Sequence, residues 1–235
     1  MRDVTRTGVV LAGGRATRFG DADKAVVALD GTPLVARVAD RLAPVVDELV
    51  VNCRREQASA IRSALGPRDY RIATDPVPDR GPVAGLRTGL RVARGWTAAV
   101  AACDLPALDP AFLDSLFADA RGESGVVPVV EGHRQPLAAV YRVVPTVEAC
   151  DATMATGARS LRAMLDHLDP REVPEATVRE RTAPATFCNV NRREDLMRAR
   201  RAVGLTAARP SNHNTLARAR APSAYVTRTA RGDGE

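Results

Sequence analysis

The sequence predicts an α/β fold of three layers, helix–sheet–helix, around a mostly parallel sheet. Three observations carry this. Short apolar runs alternate with stretches of helical periodicity along most of the chain, the pattern of strands joined by crossover helices. Polar residues gather just after the apolar runs, at the strand ends where open parallel sheets bind ligands. A length of 235 residues with 45% hydrophobic content supports one sizeable domain,. With only eight aromatic residues, its packing must rest on Val, Leu and Ala.

The first strand is expected over about Thr7 to Leu11. Thr32 suits an N-cap with Pro33 at the first helical position, and Leu34, Val35, Val38 and Leu42 then share one apolar face,. A strand from Glu48 to Val51 ends at Asn52, and a helix from about Glu56 to Leu65 is stopped by Gly66-Pro67,. Tyr70 to Ala73 reads as a short strand ending at Thr74-Asp75. Gly81-Pro82 opens a helix with Gly85 and Gly89 on one face, suited to close backbone approach,. Ala98 to Ala102 is a strand running into Cys103-Asp104-Leu105-Pro106. Asp109 and Pro110 cap and start a helix that buries Phe112, Leu113, Leu116 and Phe117. Val126 to Val130 and Leu137 to Tyr141 are strands joined around Gly132. Phe187 to Asn191 reads as an extended piece, with Asn191 capping a closing helix and Glu194 at the capping-box position,. Periodicity stops after Gly204. Residues 1–204 are read as the domain and 205–235, rich in Ala, Arg, Pro, Ser and Thr, as a disordered basic tail,.

Net charge is +6 with histidine neutral, and the tail's five arginines against Asp233 and Glu235 account for +3 of it. The remainder is too diffuse to argue nucleic-acid binding. Cys53, Cys103, Cys150 and Cys188 show no paired spacing, and His133, His167 and His213 are scattered. Neither a zinc site nor a disulfide framework is indicated. No signal peptide or spanning run of ~18 apolar residues is legible, so the expectation is a soluble cytoplasmic protein without membrane partners.

The chemistry gathers at the glycine-rich turn after the first strand. Gly13 and Gly14 let backbone N–H groups converge on an anion, and Arg15, Arg18 and Lys24 surround it with positive charge,. Lys24 is the single lysine against 33 arginines. An ammonium is a compact point charge that a guanidinium fork does not replace close to a phosphate. The segment matches neither a Walker loop nor G-x-G-x-x-G. A triphosphate cradle is the better reading; a turn needed only for tight packing is the plainer one.

Asp104 follows a strand of small apolar residues, where a carboxylate needs a cation. Mg²⁺ shared with substrate phosphates would supply one, and a cap or an arginine pair is the ordinary alternative. Asn52 and Asp75 suit a nucleobase edge or ribose: a carboxylate accepts from the N1–H and N2–H₂ edge of guanine, which adenine does not offer. Turn chemistry explains such residues equally well. Gln135-Pro136-Leu137 and Asn189-Val190-Asn191 either line a second pocket or form turns and caps. No Ser/His/Asp triad, Cys–His pair or paired-carboxylate site is legible.

Taken together, Leu11-Ala12-Gly13-Gly14-Arg15-Ala16-Thr17-Arg18-Phe19-Gly20, Asp23-Lys24, Val51-Asn52-Cys53-Arg54, Gly81-Pro82-Val83-Ala84-Gly85, Cys103-Asp104-Leu105-Pro106, Gln135-Pro136-Leu137 and Asn189-Val190-Asn191 resemble the molybdenum cofactor guanylyltransferases. These are members of the wider class of sugar-nucleotide-type nucleotidyltransferases. The resemblance implies a Rossmann-like, GT-A-like three-layer fold. It also implies transfer of GMP from Mg-GTP to the terminal phosphate of molybdenum-carrying molybdopterin, yielding the guanine dinucleotide cofactor and pyrophosphate.

On the matching positions, Leu11, Ala12 and Gly13 would meet GTP through backbone groups, with Lys24, Asn52 and Asp75 as further contacts. Asp104 would hold Mg²⁺, and Arg18, Lys24 and Asp104 would be the catalytic group. Gln135, Asn189 and Asn191 would face molybdopterin, and molybdoenzyme apoproteins or their chaperones would receive the product. Gly14 leans towards GTP rather than CTP; Phe19 stands where methionine is usual. Three rivals stay open: an adenosylcobinamide-phosphate guanylyltransferase, a molybdopterin cytidylyltransferase, and a non-catalytic nucleotide-binding protein that delivers cofactor.

Overall fold

The computed structural model describes residues 5–14, 23–192 and 194–207, and within them the expected α/β architecture is present. Strand β1 (Arg6–Leu11) opens the sheet. Strands β2 (Ala28–Leu29) and β3 (Thr32–Pro33) pair antiparallel across Asp30-Gly31, both at positive φ (51° and 77°), a two-residue hairpin of the Asp-Gly kind. This corrects the expected N-cap. Thr32 is drawn into the hairpin opposite Leu29, and Pro33 is the residue before helix α1 (Leu34–Leu42).

Strand β4 (Glu48–Cys53) runs two residues past its expected end, and a 3₁₀ turn, Arg55–Gln57, precedes helix α2 (Ala58–Leu65). Strand β5 (Arg71–Thr74), helix α3 (Pro82–Val92), strand β6 (Thr97–Ala102) and helix α4 (Pro110–Asp119) follow as read. Asp109 caps α4 through Oδ1, accepting from Ala111 N at 2.9 Å, and Thr182 Oγ1 donates to its other oxygen at 2.8 Å.

Strand β7 (Gly125–Val130) pairs with the short β8 (His133–Arg134) and with β9 (Ala138–Arg142). The sequence carried no assigned element over 143–186. There the chain forms helices α5 (Val143–Ala155) and α6 (Leu161–Leu168), strand β10 (Arg171–Val173) and helix α7 (Glu175–Arg181). Phe187–Asn191 is not an extended strand. Phe187 closes a 3₁₀ turn begun at Pro184, its ring edge-on to Phe112, and Val190 N donates to Asp104 O, two residues past the end of β6, at 3.0 Å. Helix α8 (Asp195–Ala207) closes the described chain and continues past Gly204. The cap at its start is also revised: Asp195 Oδ2 accepts from the backbone N–H groups of Asn191 and Arg192, both at 2.8 Å. The Asn191 side chain is engaged elsewhere, and Glu194 is not the residue that reaches back. Residues 208–235, nearly all of the predicted tail, lie outside the described residues.

Among the described residues the main sheet has strand order β10-β7-β9-β6-β1-β4-β5, with β8 beside β7. β1 is parallel to β4 and β6, β4 to β5, and β7 to β10. β9 alone on this path returns from β7 through a short connection, so it runs antiparallel to both its neighbours,. Alternate side chains feed two cores. Val10, Val51 and Cys53 pack with Leu42, Ile61, Leu65 and Leu113 on one face; Val9, Val50 and Val100 pack with Leu86, Leu90 and Met164 on the other,. Gly85 and Gly89 let α3 settle onto the sheet. A Cβ on Gly89 would stand 2.7 Å from Val9 Cγ1, and one on Gly85 2.6 Å from Asn52 Oδ1. No helix among the described residues is long and apolar enough to cross a membrane.

Candidate active site

Register builds the site. Leu11 stands opposite Asn52 on one side and Ala102 on the other, so the chains leaving β1, β4 and β6 emerge together. Beyond the strand ends the ladder continues for one more bond on each: Ala12 N donates to Asn52 O, Cys103 N to Leu11 O and Asp75 N to Cys53 O. A cavity of about 490 Å³ opens there, lined by Leu11, Ala12, Gly13, Gly14, Lys24, Asn52, Asp75 and Asp104. Arg54, Val77, Asp79 to Pro82, Ala84, Gly85, Ala102, Cys103 and Leu137 complete its wall. That volume falls in the range of small-ligand pockets.

At one end, Asn52 is buried, 1% exposed, and both N–H groups of its amide are committed. Nδ2 donates to Ala73 O at 3.1 Å and to Asp75 Oδ1 at 2.7 Å. Asn52 therefore orients Asp75 first, and its own offer to a ligand is Oδ1. Burial pushes the Asp75 carboxyl above the ordinary aspartate value, opposed by the Asn52 hydrogen bond and the Arg54 charge. A Cβ on Gly13 would stand 3.2 Å from Asp75 Oδ2, so glycine at that position keeps the carboxylate uncrowded.

At the other end, Asp23 Oδ1 accepts from Ala25 N at 3.1 Å and caps the 3₁₀ turn Lys24–Val26. The turn aims Lys24 inward. Its Nζ donates to Asp104 Oδ2 at 2.6 Å and to Asn191 Oδ1 at 2.8 Å. Both members of the ion pair are only 16% exposed. Asp104 Oδ1 is buried and has no hydrogen-bond partner among the described residues. A buried carboxylate oxygen left without a donor is costly, and a cation bound there would satisfy it. Among the described residues no three His, Cys, Asp or Glu side chains cluster as metal ligands. An ion held at Asp104 would therefore take most of its coordination from substrate and water, the usual state of Mg²⁺ at phosphate-handling sites.

The sequence-derived candidates divide accordingly. Leu11, Ala12, Gly13, Lys24, Asn52, Asp75 and Asp104 converge on one cavity. Ala12 brings less than expected, since its N–H is bonded to Asn52 O and its carbonyl already accepts from Gln57. Asn191 meets Lys24, and the exposed Asn189 lies beside Val190, which is pinned to the Asp104 backbone. Gln135 is not part of the cavity wall: it sits in the tight connection after β8, its amide donating to His133 O at 3.2 Å. Arg15, Arg18 and Phe19 lie outside the described residues. Gln57, which the sequence alone did not single out, is buried beneath the site. Its signal, a polar residue at a helix start, is too common to find it.

Cysteine chemistry has no place here. Burial raises the Cys53 thiol to about 11, and Cys103 and Cys150 are raised by the same cause, which leaves these thiols protonated and inert.

A family model described as the MobA-like NTP transferase domain matches residues 8–172. A Natronomonas pharaonis protein named probable molybdenum cofactor guanylyltransferase is 45% identical over 195 residues, covering 83% of this chain and 96% of that one. A Haloferax mediterranei protein of the same name is 38% identical over 194 residues, covering 83% and 92%. The crystal structure of molybdopterin-guanine dinucleotide biosynthesis protein A from Archaeoglobus fulgidus superposes with a TM-score of 0.70 at 25% identity, covering 85% of this chain and 99% of that one.

Proposed function

The chain belongs to the MobA-like NTP transferase family, and from that premise we propose that it is a molybdenum cofactor guanylyltransferase. It transfers GMP from GTP to molybdenum-molybdopterin, giving the guanine dinucleotide cofactor and pyrophosphate. One observation carries the reading: a single cavity holds an oriented carboxylate, Asp75, and the Lys24–Asp104 pair.

Asp75, held by Asn52, accepts from the N1–H and N2–H₂ edge of guanine. Adenine and cytosine present no such pair of donors, so the site discriminates by leaving a half-buried carboxylate without donors from the wrong base. Lys24 and the backbone of Gly13 and Gly14 receive the phosphates, with Arg18 assigned the same role. The nucleophile is a molybdopterin phosphate oxygen, which attacks the α-phosphorus in line as pyrophosphate leaves. It is already an anion near neutral pH, so no general base is required, and among the described residues the cavity wall contains no histidine.

The main barrier is the meeting of negative groups, and Lys24 offsets it where charge develops. Asp104 Oδ1 fits a divalent ion, which we assign as Mg²⁺; when bound it supplies further neutralisation of the phosphates. Asn191, which accepts from Lys24, and Asn189 two residues before it are assigned to the molybdopterin side, as is Gln135, which does not line the cavity. Molybdoenzyme apoproteins or their chaperones are the recipients, and the setting is the cytoplasm; no nucleic-acid or membrane partner is assigned.

The test is pyrophosphate release from GTP and from CTP, each with molybdenum-loaded molybdopterin and with adenosylcobinamide phosphate. Release only with GTP and the pterin is expected. Turnover with CTP or with the cobinamide reassigns base or acceptor, and GTP binding without any release makes the protein a delivery factor.

A further inference from the structure

Gln57 is 4% exposed, and every hydrogen-bonding position of its amide is used. Nε2 donates to Ala12 O at 3.1 Å and to Asp23 Oδ2 at 2.7 Å. Oε1 accepts from the backbone N–H of Arg54 at 3.0 Å and from Arg54 Nε at 3.1 Å. Turning the amide over would set its oxygen against a carbonyl and a carboxylate, and its NH₂ against two donors, so only this orientation satisfies the network.

The two acceptors belong to the stretches that carry the site. Ala12 leaves β1 and lines the cavity. Asp23 takes the Gln57 donor on one oxygen and caps the Lys24 turn with the other. A buried amide thus joins the end of a central strand to the turn that aims the ammonium.

We propose that Gln57 is a positioning residue for Lys24: by bridging Ala12 O and Asp23 Oδ2 it sets where the ammonium stands relative to Asp104. A glutamine that merely filled the core would not need both acceptors to come from the two flanks of the glycine-rich segment. The kinetic part of the test rests on the guanylyltransferase reading; the spectroscopic part does not.

The chain's single lysine makes the test direct. Protein grown with ¹³C-labelled lysine gives one side-chain Cε resonance, that of Lys24. In Gln57→Leu this resonance moves or broadens, whereas in Thr7→Val, a buried polar deletion at the other end of β1, it stays in place. In parallel, Gln57→Leu lowers kcat/KM for GTP by about 10- to 100-fold, the scale of a small misplacement of a reacting group. In a Lys24→Ala background the same substitution changes kcat/KM by less than about twofold, because its effect travels through the missing residue.

An unmoved lysine resonance in folded Gln57→Leu, or an equal loss in both backgrounds, overturns the proposal. If Gln57→Leu does not fold, Gln57→Met, an unbranched side chain closer in shape to glutamine, removes the same bridge while leaving the Asp23 Oδ1 cap of the Lys24 turn in place, and is judged by the same resonance and the same cycle. Absence of pyrophosphate release by the unaltered enzyme would defeat the functional reading, while the resonance would still decide for or against Gln57.

Discussion

Lys24 Nζ stands 2.6 Å from Asp104 Oδ2, although the two residues are 80 positions apart in the chain. The glycine-rich segment and the end of β6 contribute one charge each to a shared, mostly desolvated pair, and Asn191 from the approach to α8 accepts a second hydrogen bond from the ammonium. A charge set that is assembled before substrate arrives needs little reorganisation at the reacting centre.

Lys24→Arg keeps the charge and alters its shape. A planar guanidinium does not fit the space between Asp104 Oδ2 and Asn191 Oδ1 that a point charge fills. The expected loss in kcat is ~10²–10³, the usual consequence of losing one preorganised donor from its place. Steady-state pyrophosphate release measures it, and turnover close to that of the unaltered enzyme would contradict the point-charge argument.

Asp104→Ala removes the orphaned Oδ1 and the lysine's carboxylate partner together. Turnover with GTP should fall at least ~10²-fold, and addition of Mg²⁺ should no longer stimulate what remains. A magnesium titration that still saturates at the same concentration would take Asp104 out of the metal site.

Asp75→Asn separates function from stability. Burial holds the Asp75 pKa above its ordinary value, so its ionised form is less favourable in the folded chain than in the unfolded one. That cost is absent at acid pH, where both states are protonated, and grows as pH rises through the carboxylate range. The thermal midpoint of the variant should equal or exceed that of the unaltered protein at pH 7, with the difference vanishing on acidification. KM for GTP should rise at least ~10-fold as the guanine acceptor is lost. A lower midpoint at pH 7 with unchanged KM would count against both parts.

Glu48, at the opposite end of the sheet, has the reverse sign. Burial by itself would raise its pKa, but the Arg94 N–H, the Thr7 hydroxyl and Arg71 outweigh burial and leave it lowered. Its stabilisation is therefore present above the unfolded carboxylate value and disappears as pH falls through the lower folded one. Glu48→Gln should cost about 1–3 kcal/mol near neutrality and flatten the acid limb of the stability curve. Urea midpoints across pH check this, and parallel curves would exclude Glu48 as a source of the acid transition.

Gly85→Ala tests the packing beneath Asp75. The added Cβ would meet Asn52 Oδ1 at 2.6 Å, so either α3 or Asn52 must move. A loss of about 1–3 kcal/mol is expected, together with weaker GTP binding, because Asn52 is what holds Asp75 Oδ1. Stability loss with GTP affinity intact would show that α3 shifts and Asn52 does not.

The parts legible in the sequence are those written within one short window. β1 and β6 are apolar runs, Asp109-Pro110 caps and starts α4, and Gly85 and Gly89 fall on one helical face; each of these survives in the structure. Thr32 failed as a cap because Asp30-Gly31 can form a hairpin turn that takes Thr32 into a strand pair. Within 143–186, α5 gave little signal because its buried face is Thr146, Ala149, Cys150 and Thr153, small or polar residues, whereas α6 did carry a legible stripe, Leu161, Met164, Leu165 and Leu168 behind the Ser160 cap,.

Lys24, Asn52, Asp75 and Asp104 were each nameable from residue type and position after a strand, since a parallel sheet puts such positions on one edge whatever the details. Their individual tasks were not. That Asn52 gives its donors to Ala73 and Asp75, that Asn191 serves Lys24 instead of capping α8, and that Gln57 joins Ala12 to Asp23 depend on register and on contacts between distant segments. Local periodicity and turn chemistry act over a few residues and can be read from them. The direction of a buried hydrogen bond is decided only when the whole sheet brings its partners within about 3 Å.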